Sequence, residues 1–206
     1  MTEPRATECI LIIGTNGTGK STAGMNLIKA AAKKRRALVI DYAGMEKTWY
    51  GIPEVDLKDT ATLKSFTGIR KALYAHYEDE SLDLIYKNYH NGILVMDDAR
   101  NYLEGRLDIK FKRLLIGRRQ KMVDIVAMAH GFEEIPPRFY NFYTKMVLFR
   151  TVKSPVEFKK HLSNYDQILT TWKRVNQRSY DTAKAWTASG KVIHNRHYAE
   201  VISPFG

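Results

Sequence analysis

Acids are scarce in this chain: 22 Asp and Glu stand against 33 Lys and Arg, a formal net charge of +11 with a pI near 9.6. An enzyme of free nucleotides needs only a local cluster of cations, so this surplus points to a polyanionic partner, DNA or RNA before membrane. A basic but merely solvated surface is the other account of it. Cysteine is reduced to Cys9 alone, which excludes an intrachain disulfide and fits a reducing compartment. No uncharged apolar run approaches the roughly 20 residues that cross a bilayer. Met1-Thr2-Glu3-Pro4-Arg5 carries no apolar signal region. The expectation is an intracellular protein that does not span a membrane. Internal repeats and low-complexity tracts are also absent. At 206 residues and 23.7 kDa, with 44% apolar and 27% charged residues, the chain reads as one soluble domain, residues 1–206.

What is present begins with Gly14-Thr15-Asn16-Gly17-Thr18-Gly19-Lys20-Ser21, which follows the apolar run Cys9-Ile10-Leu11-Ile12-Ile13 and opens a helical stretch containing Thr22. Strand, glycine-rich loop and helix in this order form a phosphate loop. Its glycines permit backbone angles and close approaches that let successive N–H groups face phosphate oxygens, and the helix adds the positive end of its dipole. Lys20 would reach the β- and γ-phosphates, and the Ser21 hydroxyl would hold Mg²⁺. The implied ligand is a nucleoside triphosphate, read as ATP with Mg²⁺.

The rest of the chain alternates strand and helix. Expected strands are 8–13, 37–41, 92–98 up to its closing acids, 123–129 and 145–150. Expected helices are 21–36, 60 to about 76, a short one within 77–91, about 109–120, and about 164–180. Lys33-Lys34-Arg35-Arg36 ends the first helix, where cations favour the negative end of the dipole, so the cluster needs no nucleic acid to explain it. Residues 186–201 read as a hairpin turning at Ser189-Gly190. The fold class is therefore α/β: a central, mostly parallel sheet flanked by helices, with its site at the carboxyl ends of the strands. The core spans about 8–150, and a small helix-and-hairpin extension about 151–206.

Asp97-Asp98 closes the apolar strand Ile93-Leu94-Val95-Met96 as a Walker B strand does. Asp97 would anchor Mg²⁺ and Asp98 would polarise the attacking water, although such a pair can equally cap a following helix. His130 ends the next strand, where it either touches the γ-phosphate or is a hydrogen-bonded core histidine. Arg118 and Arg119 offer an arginine finger for a neighbouring subunit, or else a helix-end charge or DNA contact.

Taken with Asp41-Tyr42-Ala43-Gly44-Met45-Glu46 and the run from Gly117 to His130, these motifs resemble the FtsK-HerA superfamily of DNA-pumping ATPases. The likeness is strongest to genome-packaging ATPases of icosahedral viruses with an internal membrane, and second to zonula-occludens-toxin-like assembly ATPases of filamentous phages. Two positions depart from the pattern: Asp98 stands where Glu is usual, and His130 where Gln is usual. The resemblance implies a RecA-like core, ATP and Mg²⁺, and a homo-oligomeric ring, usually a hexamer, that threads double-stranded DNA. It also implies residence in the host cytoplasm or at a capsid vertex, with vertex or membrane proteins as partners. The toxin-like proteins usually carry a membrane-spanning helix after the core, and this sequence has none, which favours packaging.

A translocating ring grips phosphates without reading sequence, so exposed cations are what the task requires. Candidates are Lys110, Lys112, Arg113, Lys159, Lys160, Lys173 and Arg174. The interleaved Trp172, Tyr180, Trp186 and Tyr198 read as core or subunit interface, since duplex DNA offers no open base to stack on. Two other readings share the loop and the acids: a nucleotide or small-molecule kinase, and a slowly hydrolysing DNA-binding switch. A kinase of this size usually carries an arginine-bearing lid, and no such insertion is evident.

Overall fold

The computed structural model describes residues 6–42, 44, 46–74, 80–102, 109–189 and 198–203. Its centre is a sheet of strands β1 (Cys9–Ile13), β2 (Arg36–Asp41), β3 (Ile69–Leu73), β4 (Gly92–Met96), β5 (Val123–Ala129), β6 (Lys145–Leu148) and β7 (Glu200–Ile202), in the order β3-β2-β4-β5-β1-β6-β7. All neighbours are parallel except β7, which pairs antiparallel with β6. The helices are α1 (Lys20–Ala32), α2 (Thr60–Ser65), α3 (Ser81–Asn88), α4 (Ile109–Lys121) and α5 (Tyr165–Ser189).

Continuous Val, Ile, Leu and Ala runs form the middle strands because both faces of a parallel sheet are covered. The two-residue period of a strand divides each run between two cores. Ile12, Ala37, Val39, Ile93, Val95, Val126 and Met128 pack against Ile28 of α1 and against Trp49. Leu11, Leu38, Leu94 and Ile125 pack on the other face against Leu63, Ile85, Phe111, Leu115 and Ile168, from α2, α3, α4 and α5. Asp124 is the one acid within β5; it is buried, forms an ion pair with Arg35 and accepts the Glu8 N–H.

Two expectations are corrected. The helix expected from 60 to about 76 stops at Ser65, and Ile69–Leu73 is strand β3 beside β2. Gly68 adopts φ +73 between them, and pairing along β2 outweighs the helix propensity of Arg70, Lys71, Ala72 and Leu73. The first arm of the expected terminal hairpin, Trp186 to Ser189, is the end of α5, which meets no glycine or proline from Tyr165 to Ser189. Residues 190–197 lie outside the described residues, and Val201 belongs to β7, an edge strand of the main sheet.

Candidate nucleotide site

The sheet order places β5 between β1 and β4. Three consecutive carboxyl ends therefore deliver the phosphate loop after β1, His130 after β5 and Asp97-Asp98 after β4 to one rim. They surround a cavity of about 610 Å³ whose wall includes Asn16, Gly17, Gly19, Lys20, Ser21 and Thr22 from the loop, with Asp41, Glu46, Asp97, Asp98 and His130 opposite.

The loop is tied down at its base. Gly14 N–H donates to Ala129 O at 3.1 Å, Thr15 N–H to Arg150 O at 2.9 Å, and the Thr18 hydroxyl to Thr15 O at 2.7 Å. Gly14 is packed so closely that an added Cβ would lie 2.5 Å from Phe149 Cβ. Gly17 is the opposite case: its φ is +73, and an added Cβ would meet no protein atom within 4 Å, since the residue borders the cavity. Gly19, at φ 89, is the N-cap of α1 and supplies no side-chain cap, so the first-turn N–H groups stay available to an anion.

Lys20 is only 7% exposed. Its ammonium donates to Thr15 O at 3.1 Å and lies 3.1 Å from His130 Nδ1. An ammonium has no lone pair, so Nδ1 is the acceptor and a neutral His130 carries its proton on Nε2. That atom is 3.7 Å from Asp98 Oδ1. Burial lowers the Lys20 pKa, opposed by the charges of Asp97, Glu134, Asp98 and Glu46.

The two acids are driven in opposite directions. Burial raises the Asp97 carboxyl above its usual range, against hydrogen bonds donated by Trp49 Nε1 to Oδ2 and by Asp98 N–H to Oδ1; the charges of Glu46 and Asp41 add to the rise. Asp98, at φ 51, is also resisted by burial, yet the His130 ring and the Arg100 guanidinium hold it down to about 2. Arg100 donates to Asp98 Oδ2 at 2.9 Å and lies 3.7 Å from Glu134, whose Oε2 accepts the His130 N–H at 2.7 Å. Asp98, His130 and Glu134 offer donor atoms within 4.8 Å of one another. Arg100 already supplies both carboxylates with a cation.

Trp49, Arg100 and Glu134 join the site beyond the residues that the sequence motifs single out. Trp49 is remote in sequence and reaches Asp97 through a three-residue helical turn (Lys47–Trp49) after β2. Arg100 and Glu134 do have a local signal, each lying within four residues of Asp97 or His130. The finger candidates are elsewhere: α4 ends just before β5 begins, at the rim away from the cavity. Arg118 is buried there, with one guanidinium N–H on Leu115 O at 2.8 Å and Nε unsatisfied, while Arg119 is exposed. Neither borders this chain's own cavity.

Of the expected DNA contacts, Lys112, Arg113, Lys159, Lys160 and Lys173 are exposed, with the Lys159 ammonium 5.3 Å from the centre of the Tyr165 ring. Lys110 is instead half-buried, 3.7 Å from Asp83, and Arg174 clasps Glu200 through two N–H groups. Trp172 serves structure, donating to Thr151 Oγ1 at 2.8 Å.

The genome-packaging NTPase B204 of Sulfolobus turreted icosahedral virus 2, in complex with AMPPCP, superposes with a TM-score of 0.65 at 12% identity, over 82% of this chain and 86% of that one. B204, the DNA-packaging ATPase of Sulfolobus turreted icosahedral virus, gives 0.63 at 16% identity, over 79% and 87%. The chain shares the fold of a viral genome-packaging NTPase. Residues 1–57 also match the family model of the type IV secretion-system coupling protein DNA-binding domain. Comparison with curated protein sequences finds no significant match. Among the described residues, no helix is long and apolar enough to cross a membrane.

Proposed function

We propose that this protein is a Mg²⁺-dependent ATPase that translocates double-stranded DNA and packages a viral genome, working as a ring of identical subunits. The observation that carries the reading is the meeting of Lys20, Ser21, Asp97 and His130 around one cavity at the carboxyl rim. The family match to a DNA-binding domain over residues 1–57, the shared fold and the net charge of +11 support DNA as the partner.

Loop N–H groups and Lys20 take the triphosphate. Ser21 and Asp97 would hold Mg²⁺, which when bound neutralises charge on the transferring phosphate oxygens. As Lys20 turns to phosphate, His130 Nδ1 loses its donor, so the ring that faces Asp98 registers the event. Asp98, held near a pKa of 2, is too weak a base to take a proton at neutral pH. It positions water while Arg100 holds it, and gains basicity when Arg100 withdraws.

The test follows the γ-phosphate of labelled ATP. Release as inorganic phosphate, increased by duplex DNA and abolished by Lys20→Ala or Asp97→Ala, is expected. Transfer to a nucleoside monophosphate or other small acceptor, indifferent to DNA, would make the protein a kinase.

A further inference from the structure

At the amino-terminal rim of the sheet lies a second concavity, of about 390 Å³, lined by Lys33, Lys34, Arg35, Arg36 and Lys64, with no carboxylate among the described residues of its wall. Two of these cations are part of the wall. Arg36 donates to His90 O and Leu63 O and spreads over the rings of Phe66 and Tyr89, at 5.2 and 4.8 Å; Arg35 is clasped by Asp124. Lys33, Lys34 and Lys64 are exposed, and among the described residues none of them pairs with a carboxylate. The ends of α1 and α2 meet here, and each contributes roughly half a negative charge. Those two ends and Asp124 offset about two of the five cations, so a surplus of about three remains that the fold itself does not need.

We infer that this concavity grips the phosphate backbone of duplex DNA, an inference that rests on the proposed DNA-translocating function. A cluster of cations without a carboxylate partner is suited to neutralising neighbouring phosphates of a duplex. Phe66 in its wall and the neighbouring Tyr89 are buried under Arg36; among the described lining residues the exposed ring is His90, a single face rather than the row of platforms on which a single strand stacks. The grip is joined to the nucleotide cavity by two rigid elements. Helix α1 carries Lys20 and Ser21 at one end and Lys33 just beyond the other; strand β2 begins at Arg36 and ends at Asp41. Any displacement of α1 when the triphosphate binds or leaves is therefore delivered to Lys33 and Lys34 about 20 Å away.

The experiment uses the full chain carrying Lys33→Gln, Lys34→Gln and Lys64→Gln together, with folding confirmed by circular dichroism. Binding to a labelled duplex is measured by anisotropy from about 50 to 200 mM salt, alongside phosphate release with and without DNA. The expected result is affinity reduced about tenfold or more at the lowest salt and a log–log salt slope smaller by about 2 to 3. Phosphate release without DNA is retained, its stimulation by DNA is lost, and Lys→Arg at the same positions restores binding. Unchanged affinity and slope, with loss instead in a Lys159→Gln, Lys160→Gln, Lys173→Gln variant, would overturn the groove and leave the motor standing. Wild-type protein that binds no duplex would end both readings, and polyglutamate bound in place of DNA would assign the groove to an acidic protein.

Discussion

Asp97 and Asp98 are neighbours in sequence and opposites in chemistry. Asp98 is the more easily tested, because its carboxyl is held at about 2, against an ordinary 3.8, by His130 and Arg100 acting against burial. A depressed carboxyl pKa stabilises the folded state above the ordinary value, and that gain is lost as pH falls toward the folded one. With the exposed Arg100 screened by solvent, the contribution is about 1 kcal/mol, present above pH ~4. Arg100→Ala should move the Asp98 titration upward, followed by NMR of the side-chain carboxyl, and should shrink the loss of stability on acidification. An unmoved titration would remove Arg100 from the account. Trp49 makes the complementary case. Trp49→Phe keeps most of the buried volume, at a cost of about 1 to 3 kcal/mol, but deletes the donor that opposes desolvation of Asp97. The acidic limb of the pH–rate profile should then shift to higher pH; an unshifted limb would mean that the indole only fills space.

At the scale of the element, α1 and the phosphate loop depend on two glycines that differ in what surrounds them. An added Cβ at Gly14 would lie 2.5 Å from Phe149 Cβ, an atom fixed to backbone, and 2.7 Å from Thr18 Oγ1. At Gly24 it would lie 2.3 Å from Met128 Cε, the free end of a flexible side chain. Gly14→Ala should therefore cost about 1 to 3 kcal/mol in urea denaturation and weaken ATP binding. Gly24→Ala should cost less, because Met128 can swing aside and alanine favours the helix. Equal losses would contradict the packing described. The same local logic explains what could be read in advance. Strands β1, β2, β4 and β5 are apolar on both faces and announce themselves, and the glycine loop fixes the start of α1. Strand β3 hides because Arg70 and Lys71 interrupt its apolar pattern; the neighbouring β2, the backbone bridge of Lys71 to Glu54 and the ion pair between those two side chains at 3.4 Å make it a strand. The end of α5 differs from the expected hairpin because Ser189-Gly190 is equally at home in a turn and after a helix. Trp49 at Asp97 is a tertiary contact with no sequence period to reveal it.

At the scale of the whole molecule, the sheet separates two charge environments: a cavity rimmed by acids and Lys20 at the carboxyl ends, and a carboxylate-free basic groove at the amino ends. Such a division suits a machine that spends nucleotide at one rim and holds a polyanion at the other. Everything in this account depends on Lys20, Ser21 and Asp97 acting on one metal-bound triphosphate. The most direct measurement is the affinity for ATPγS with and without Mg²⁺ in wild type, Ser21→Ala and Asp97→Ala, by calorimetric titration. Mg²⁺ should strengthen binding in the wild type and lose most of that effect in both variants. An equal Mg²⁺ effect in all three proteins, or no binding at all, would contradict it.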